Sequence, residues 1–216
     1  LEKTTDLPLI KYAASTKKPL IVSTGLLNLS EIEEVYNTVL DSKCDQLILL
    51  HCISSYPAPI DESNLLTIRS LREKFDIPIG LSDHTLSNTT SLAATALGAS
   101  VIEKHFIVDK NDKGPDSEFS INPIELKSLC DETKNVWKAL GSVNYDLKDA
   151  EKDSLKYRRS IYFVKDIQKG DTITEQHIKR IRPGYGLSGK YYKDLIGKKV
   201  NKSIKSGTPT SFEVIK

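Results

Sequence analysis

Apolar and polar positions follow one rhythm between residues 19 and 106. A short run rich in Val, Ile and Leu comes first, then polar residues, then an amphipathic helical pattern. The runs are PLIVSTG (19–25), QLILLHCISS (46–55), PIGLSDHT (78–85) and ASVIEKHF (99–106), with first residues 27, 32 and 21 positions apart. That spacing predicts strand–helix units. The runs are continuous rather than alternating, which suits parallel strands covered on both faces.

The intervening segments carry helix signals. Ser30, with Glu33 and Glu34 after it, is the expected cap of SEIEEVYNTVL, whose apolar stripe is Ile32, Val35, Tyr36 and Val39. Asp61 is expected to open DESNLLTIRSLREKF, with Leu65, Leu66, Ile68, Leu71 and Phe75 as its apolar face. Ser87 or Asn88 opens a small-residue helix that Gly98 ends. Asn122 and Pro123 start PIELKSLCDETKNVWKAL, with Gly141 just past its end.

Near residue 142 the pattern changes. Residues 142–158 are polar and lack a long apolar face, so they read as a linker holding at most a short helix. Residues 159–216 show short strand-like runs separated by KGD, RPGYG and KSGT, which predicts a small β-rich domain. Within it VKDIQKGDTIT and NKSIKSGTPTS look alike, as an internal pseudo-repeat would.

Parallel strands with helical crossovers make either an open doubly wound sheet or a (β/α)8 barrel. Neither G-x-G-x-x-G nor G-x-x-x-x-G-K-[ST] occurs in residues 1–141, which removes the usual phosphate-loop argument for the open sheet. Polar residues close every run instead, at the strand ends where barrel enzymes build their sites. An open sheet would gather them at one switch point. A barrel needs eight strands and about 250 residues. Residues 1–141 are therefore read as the C-terminal half of a TIM barrel, strands five to eight, and alone its edge strands would be unpaired. The chain starts at Leu1, inside what reads as a loop.

Composition narrows the function classes only mildly. The 216 residues are 38% hydrophobic and 28% charged, with a net charge of +2. No Lys/Arg tract suggests nucleic acid, no apolar run is long enough for a membrane span, and no signal peptide opens the chain. A cytoplasmic protein is expected. The three cysteines, Cys44, Cys52 and Cys130, form no C-x-x-C and read as reduced, buried thiols.

Candidate chemistry lies at the strand ends. Alternate residues of a strand share a face, so Val101, Glu103 and His105 point together, and His84 ends the neighbouring strand. Two imidazoles from adjacent strands would converge at a barrel mouth and suit a divalent ion. Glu103 or Asp83 would be a further ligand or a carboxylate that fixes a histidine tautomer. The plain alternative is that each histidine only satisfies a strand-end hydrogen bond. His51, of opposite parity to Cys52 and Ser54, reads as a packing residue, and His177 as a surface one. Ser23, Thr24, Ser54 and Ser82 are neutral donors for an oxyanion or a phosphate. The polar stretch 109–120 follows the fourth run, where substrate contacts are common. Arg182, before a Pro-Gly turn, is a rigidly mounted cation.

PLIVSTG, LLHCISSYPAP, GLSDHT, GASVIEKHF, GPDSEFS and RRSIYFVKDIQKGD followed by IRPGYG resemble the sialic acid synthase family, in family order and over essentially the whole chain. TDLPLIKYAAS, GPDSEFS and IRPGYGL look most like its pseudaminic acid branch. The resemblance implies a complete barrel followed by a small antifreeze-like (SAF) domain, with barrel strands one to four absent from this chain. It implies condensation of phosphoenolpyruvate with an N-acetylated amino sugar, giving a nine-carbon α-keto acid sugar and phosphate. For the pseudaminic branch the sugar is 2,4-diacetamido-2,4,6-trideoxy-altropyranose.

Residue by residue, the resemblance puts a metal on His84 and His105, with Mn2+ or Mg2+ expected and Co2+ a third candidate. It puts phosphoenolpyruvate near Ser23, Ser54 and Ser82, and the sugar near Tyr56 and Asp116. Glu103 and Arg182 are the expected catalytic residues, Arg182 also touching substrate from the partner subunit of a domain-swapped homodimer. Ser54 stands where some members have Asn. Glu2 lies one residue out of step with a family glutamate and is given no role. Open alternatives are an N-acetylneuraminate or legionaminate synthase, a non-catalytic sugar-binding fragment, and a metal-dependent aldolase-type lyase. The lyase would need a Schiff-base lysine, for which Lys104 is the candidate, although its parity points away from Glu103 and His105.

Overall fold

A computed structural model describes residues 2–215, so the expected loop at Leu1 falls outside the described residues. The chain divides into two units, residues 1–142 and 143–216.

In the first unit, four strands form one parallel sheet in the order β1-β2-β3-β4: β1 (Leu20–Ser23), β2 (Leu47–Cys52), β3 (Ile79–Asp83) and β4 (Ile102–Lys104). Helices α2 (Leu29–Asp41), α3 (Leu66–Phe75) and α4 (Thr89–Ala96) make the crossovers, and α5 (Pro123–Leu140) follows β4. The sheet curls as half a barrel, with one face turned to the helices.

Side chains of paired residues in a parallel sheet share a face, so register fixes what meets what. Val22, Leu47, Leu49, Ile79 and Leu81 face the helices and pack with Ile32, Val35, Val39, Ile68, Leu71, Phe75 and Ala94 into one core. The opposite face carries three rows. Ser23, Leu50 and Gly80 are register partners, as are Cys52, Ser82 and Glu103. Two residues further along the strands, Ser54, His84 and His105 make the third row.

The helix boundaries correct several expectations. Asn28, not Ser30, caps α2, sharing a capping box with Glu31 (3.1 and 2.8 Å). α3 begins at Leu66 rather than after Asp61, because Asn64 takes a positive φ of 42° and ends the short 3-10 turn Ile60–Glu62. Helix α1 (Leu7–Ser15) lies in a segment for which no helix was expected, capped by Asp6 with a proline in its first turn. Asn122 caps α5 as expected, with Glu125 completing its box.

The second unit contains a nine-residue 3-10 segment, Asp149–Tyr157, then the antiparallel pair β5 (Ser160–Phe163) and β6 (Ile178–Ile181), and a single-turn helix, α6 (Tyr192–Leu195). Its two look-alike segments pair with each other about an approximate two-fold. Ile167 and Ile204 exchange both backbone hydrogen bonds (3.0 and 2.9 Å). The bond from Gly207 N to Phe163 O (2.7 Å) is mirrored by Gly170 N to Val200 O (2.8 Å). Likewise Thr210 N to Ile161 O (3.0 Å) is mirrored by Ile173 N to Lys198 O (2.8 Å). Ile161, Phe163, Ile167, Ile173, Ile178, Val200 and Ile204 fill the core between the halves.

Gly170 and Gly207 hold equivalent turns at φ +92° and +86°, where an added Cβ would touch nothing within 4 Å. A Gly170→Ala or Gly207→Ala change therefore costs backbone strain alone, about 1–2 kcal/mol each. Denaturant unfolding followed in the full chain should show similar losses for the two. An unchanged midpoint for either would contradict the shared geometry.

Candidate active site

The helix-averted face of the sheet ends in a cluster of rings. His84 and His105 have ring centres 5.2 Å apart at 65°. Tyr56, on the loop after β2, sits 4.3 Å from the His84 ring and 5.7 Å from His105. Phe119 closes the other side, 5.0 Å from His105 and 5.4 Å from Tyr56. Phe119 is buried although it lies in an otherwise exposed loop, because it packs into this cluster.

Each imidazole is oriented through Nδ1. His84 Nδ1 donates to the carbonyl of Ile53 (2.9 Å), and His105 Nδ1 faces Asp116 Oδ2 at 3.3 Å. The Ile53 carbonyl fixes the His84 tautomer that leaves Nε2 as the ligating atom, and among the described residues neither Nε2 has a hydrogen-bond partner. Imidazole nitrogens bind ions such as zinc at about 2.1 Å, which puts two ring centres sharing one ion about 5 Å apart. The pair fits a divalent cation on that measure. No group of three or more His, Cys, Asp or Glu that could hold a metal occurs among the described residues. Two imidazoles are thus the donor set this chain offers.

Asp83 is not available as a ligand. Its carboxylate lies on the helix-facing side, 1% exposed, and is bridged to Lys104 at 2.9 Å. Glu103 is on the site face, but accepts a 2.7 Å bond from Ser82, so that serine's proton is already used. Ser23 Oγ is different: among the described residues it is buried with no hydrogen-bond partner beyond a weak contact with the Cys52 thiol. A buried hydroxyl left unpaired is costly, and it marks the place where a bound acceptor would be satisfied. Ser54 is half-buried, 3.9 Å from the Cys52 thiol.

Burial works against a charged His84, but the Cys52 thiol, the Ile53 carbonyl and the Asp83 charge outweigh it, raising its pKa above 6.5. Burial alone would push the Cys52 thiol up; its contacts with His84, Ser23 and Ser54 hold it below its ordinary value. Burial, followed by the negative charges of Cys52, Asp116 and Glu103, raises the Tyr56 phenol, which stays a neutral donor.

Residues 2–145 match the NeuB family, and residues 158–212 match the SAF domain. The chain belongs to the NeuB family, the sialic acid synthases. It is 40% identical over 198 residues to the pseudaminic acid synthase of Campylobacter jejuni subsp. jejuni serotype O:2, covering 92% of this chain and 58% of that protein. It is 42% identical over 204 residues to the N,N'-diacetyllegionaminic acid synthase of the same organism, covering 93% of this chain and 61% of that one. The crystal structure of N-acetylneuraminic acid synthetase from Leptospira borgpetersenii, in complex with citrate, aligns at TM-score 0.66 and 37% identity over 72% of this chain and 54% of that one. The chain spans about three fifths of the length of these curated relatives.

In this NeuB-family chain, His84, His105, Glu103, Ser82, Tyr56 and Asp116 come together at the ends of β3 and β4. Ser23 and Ser54 close β1 and β2 on the same face. Arg182 belongs to the second unit, at the end of β6, exposed and without a hydrogen bond or ion pair among the described residues. The side chain of Glu2 lies outside the described residues. Two contributors were missed: Phe119, for which an aromatic inside a polar loop was the available signal, and the Asp83–Lys104 pair. Cys130 is exposed on α5, correcting the expectation of three buried thiols. His177 is partly exposed, its Nδ1 meeting the Thr174 hydroxyl at 2.9 Å.

His51 faces the helices and bonds the Ser63 carbonyl at 2.7 Å. Burial lowers its pKa below 6.5, more than that hydrogen bond raises it. A depressed histidine resists protonation while the unfolded chain accepts it. Its contribution is therefore present above pH 6.5 and lost as pH falls from there through the lowered folded value. Stability measured by urea at pH 7.5 and 5.5 should fall less in His51→Gln than in the parent. Equal losses would show that another group sets the slope.

Proposed function

We propose that the two units belong to an enzyme that condenses phosphoenolpyruvate with the pseudaminic acid precursor 2,4-diacetamido-2,4,6-trideoxy-altropyranose. The observation that carries this reading is the His84–His105 pair, two oriented imidazoles with unpaired Nε2 atoms at the strand ends of a half-barrel. The similarity to pseudaminic and legionaminic acid synthases supplies the substrate class. Identities of 40% and 42% to the two kinds do not separate the sugars, so the pseudaminic choice rests on the motifs TDLPLIKYAAS, GPDSEFS and IRPGYGL.

In the net reaction the enol carbon of phosphoenolpyruvate bonds to the aldehyde carbon of the open-chain sugar. Water supplies the oxygen at C2, and phosphate leaves by C–O cleavage. His84 and His105 would hold a divalent cation, whose chemistry is Lewis acidity toward the aldehyde oxygen. Two nitrogen donors suit Mn2+ or Co2+ better than Mg2+, which prefers oxygen and gives up water reluctantly. The Ser23 hydroxyl would donate to phosphate or carboxylate oxygens. Glu103, exposed beside the histidines, is placed to take or return a proton through its unbonded oxygen. Tyr56 and Phe119 supply an apolar wall that limits water, and Asp116 orients His105 while facing the sugar. Lys104 does not suit a Schiff base, because its amine is committed to Asp83 and to two carbonyls.

A homodimer in which the second unit serves the partner's site fits the charge distribution. Residues 143–216 carry 17 Lys/Arg against 9 Asp/Glu, whereas residues 1–142 carry 14 against 20. Opposite net charges favour docking of the basic unit on the acidic unit of a second copy, and Arg182 is the unpartnered cation it would bring to a bound carboxylate or acetamido oxygen. Among the described residues no helix is long and apolar enough to cross a membrane.

A phosphate-release assay of the full-length protein with pseudaminic, legionaminic and sialic precursors tests the reaction. Release with the first and little with the others is expected; release with none would overturn the reading. His84→Ala and His105→Ala should each reduce Mn2+ binding at least tenfold in a titration of metal-free protein. Unchanged titrations would remove the metal.

A further inference from the structure

The ladder between β3 and β4 ends at Asp83 and Lys104, which are register partners. His84 and His105 stand one residue beyond that last rung, so its geometry sets where both imidazoles begin. The last two rungs are bridged, on opposite faces. On the site face Ser82 donates to Glu103 at 2.7 Å. On the helix face Lys104 donates to Asp83 at 2.9 Å, with side chains 3% and 1% exposed.

The buried bridge is saturated. Asp83 Oδ1 accepts from the Thr85 amide (2.9 Å) and hydroxyl (2.8 Å), and Oδ2 from Thr90 (2.8 Å), Ser91 (2.5 Å) and Lys104 (2.9 Å). Lys104 also donates to the carbonyls of Thr85 (2.7 Å) and Ser87 (3.3 Å), using all three ammonium protons. Burying an ion pair in this way gains little stability over a well-packed apolar pair. What it does is tie the turn after His84 to the strand before His105. Apolar side chains in the same space would hold the helices as well, but would not fix the relative advance of the two strands.

We propose that the Asp83–Lys104 pair is a positioning device that sets the separation of His84 and His105 for one shared divalent cation. This rests on the metal reading above, and goes beyond it by assigning the two residues that touch neither ion nor substrate. They act from behind the sheet, through the backbone of the histidines themselves.

The test uses the metal-free full-length protein and the variants Lys104→Met and Asp83→Asn/Lys104→Met. The single change leaves a buried carboxylate unpaired and can prevent folding, whereas the double change removes both charges and keeps the volume. The double variant should fold, with a melting midpoint close to that of the parent. Its Mn2+ affinity should nonetheless fall 10- to 100-fold, and the visible band of bound Co2+ should shift. A folded double variant with parental Mn2+ affinity and an unshifted Co2+ band would overturn the proposal. If His84→Ala leaves Mn2+ binding unchanged, the metal reading fails by itself. The positioning role is then read from a crystal structure of the double variant: displaced imidazoles support it, and ring centres still 5.2 Å apart refute it.

Discussion

Parallel pairing of β3 with β4 is the constraint on which the site depends. Backbone hydrogen bonds place Ser82 opposite Glu103 and Asp83 opposite Lys104, and the next alternation of the pleat delivers the histidines to one side. A slip of one residue would exchange the faces. A slipped β4 would bring Lys104 into the site and press His105 into the helices, and a slipped β3 would do the same with Asp83 and His84. The register is therefore defended by apolar burial on the helix side, by the Ser82–Glu103 bond on the other, and by the ion pair at the end.

The two faces of the same strands divide the work. Leu47, Leu49, Ile79 and Leu81 face the helices and supply the stability, with His51 as a neutral imidazole among them. The averted face has a small and polar middle, Ser23, Cys52, Gly80 and Ser82, and finishes in rings. Ile21, on the edge strand, is 53% exposed on that face. A surface so arranged cannot stabilise the unit by itself, and its residues answer to chemistry instead. The buried Ser23 hydroxyl is a cost that a bound acceptor would relieve.

The strands were legible in the sequence because each is a continuous apolar run, and the facing of His105 and Glu103 followed from a period of two. The facing of His51 did too. Helix starts were less legible. Asn28 and Ser30 both offer a capping oxygen with a glutamate three residues on, Glu31 and Glu33, so the box pattern fits either start and the structure takes the earlier one. The start of α3 depended on a positive φ at Asn64, which no apolar stripe reports. Within the site, residues projecting from strands were placed by counting. Phe119 was not, since its position depends on the path of a loop back toward His105. Asp83 read as a further ligand or a tautomer-fixing carboxylate for its place beside His84; what counting could not supply was that four donors and a lysine waited on the other face.

The second unit obtains its rigidity differently, and that bears on Arg182. Few of its residues lie in regular strands, yet its backbone groups are paired across the approximate two-fold. The turn after β6 is held at several points: Ser160 Oγ donates to the Pro183 carbonyl (2.8 Å) and accepts from the Gly186 amide (2.9 Å), and Gly184 N donates to the Lys156 carbonyl (3.1 Å). At Gly186 a Cβ would lie 2.1 Å from the Ile161 carbonyl oxygen, so the turn is pressed onto β5 as closely as a backbone can be. A guanidinium on such a mount loses little backbone freedom when it meets an anion. Among the described residues it has no ion-pair partner to give up, so the main cost of recruiting it is desolvation and side-chain ordering. A single exposed arginine would ordinarily be worth little. Held this way in a basic unit, it would bring one positive charge to an anion at little backbone cost, as the proposed reading requires.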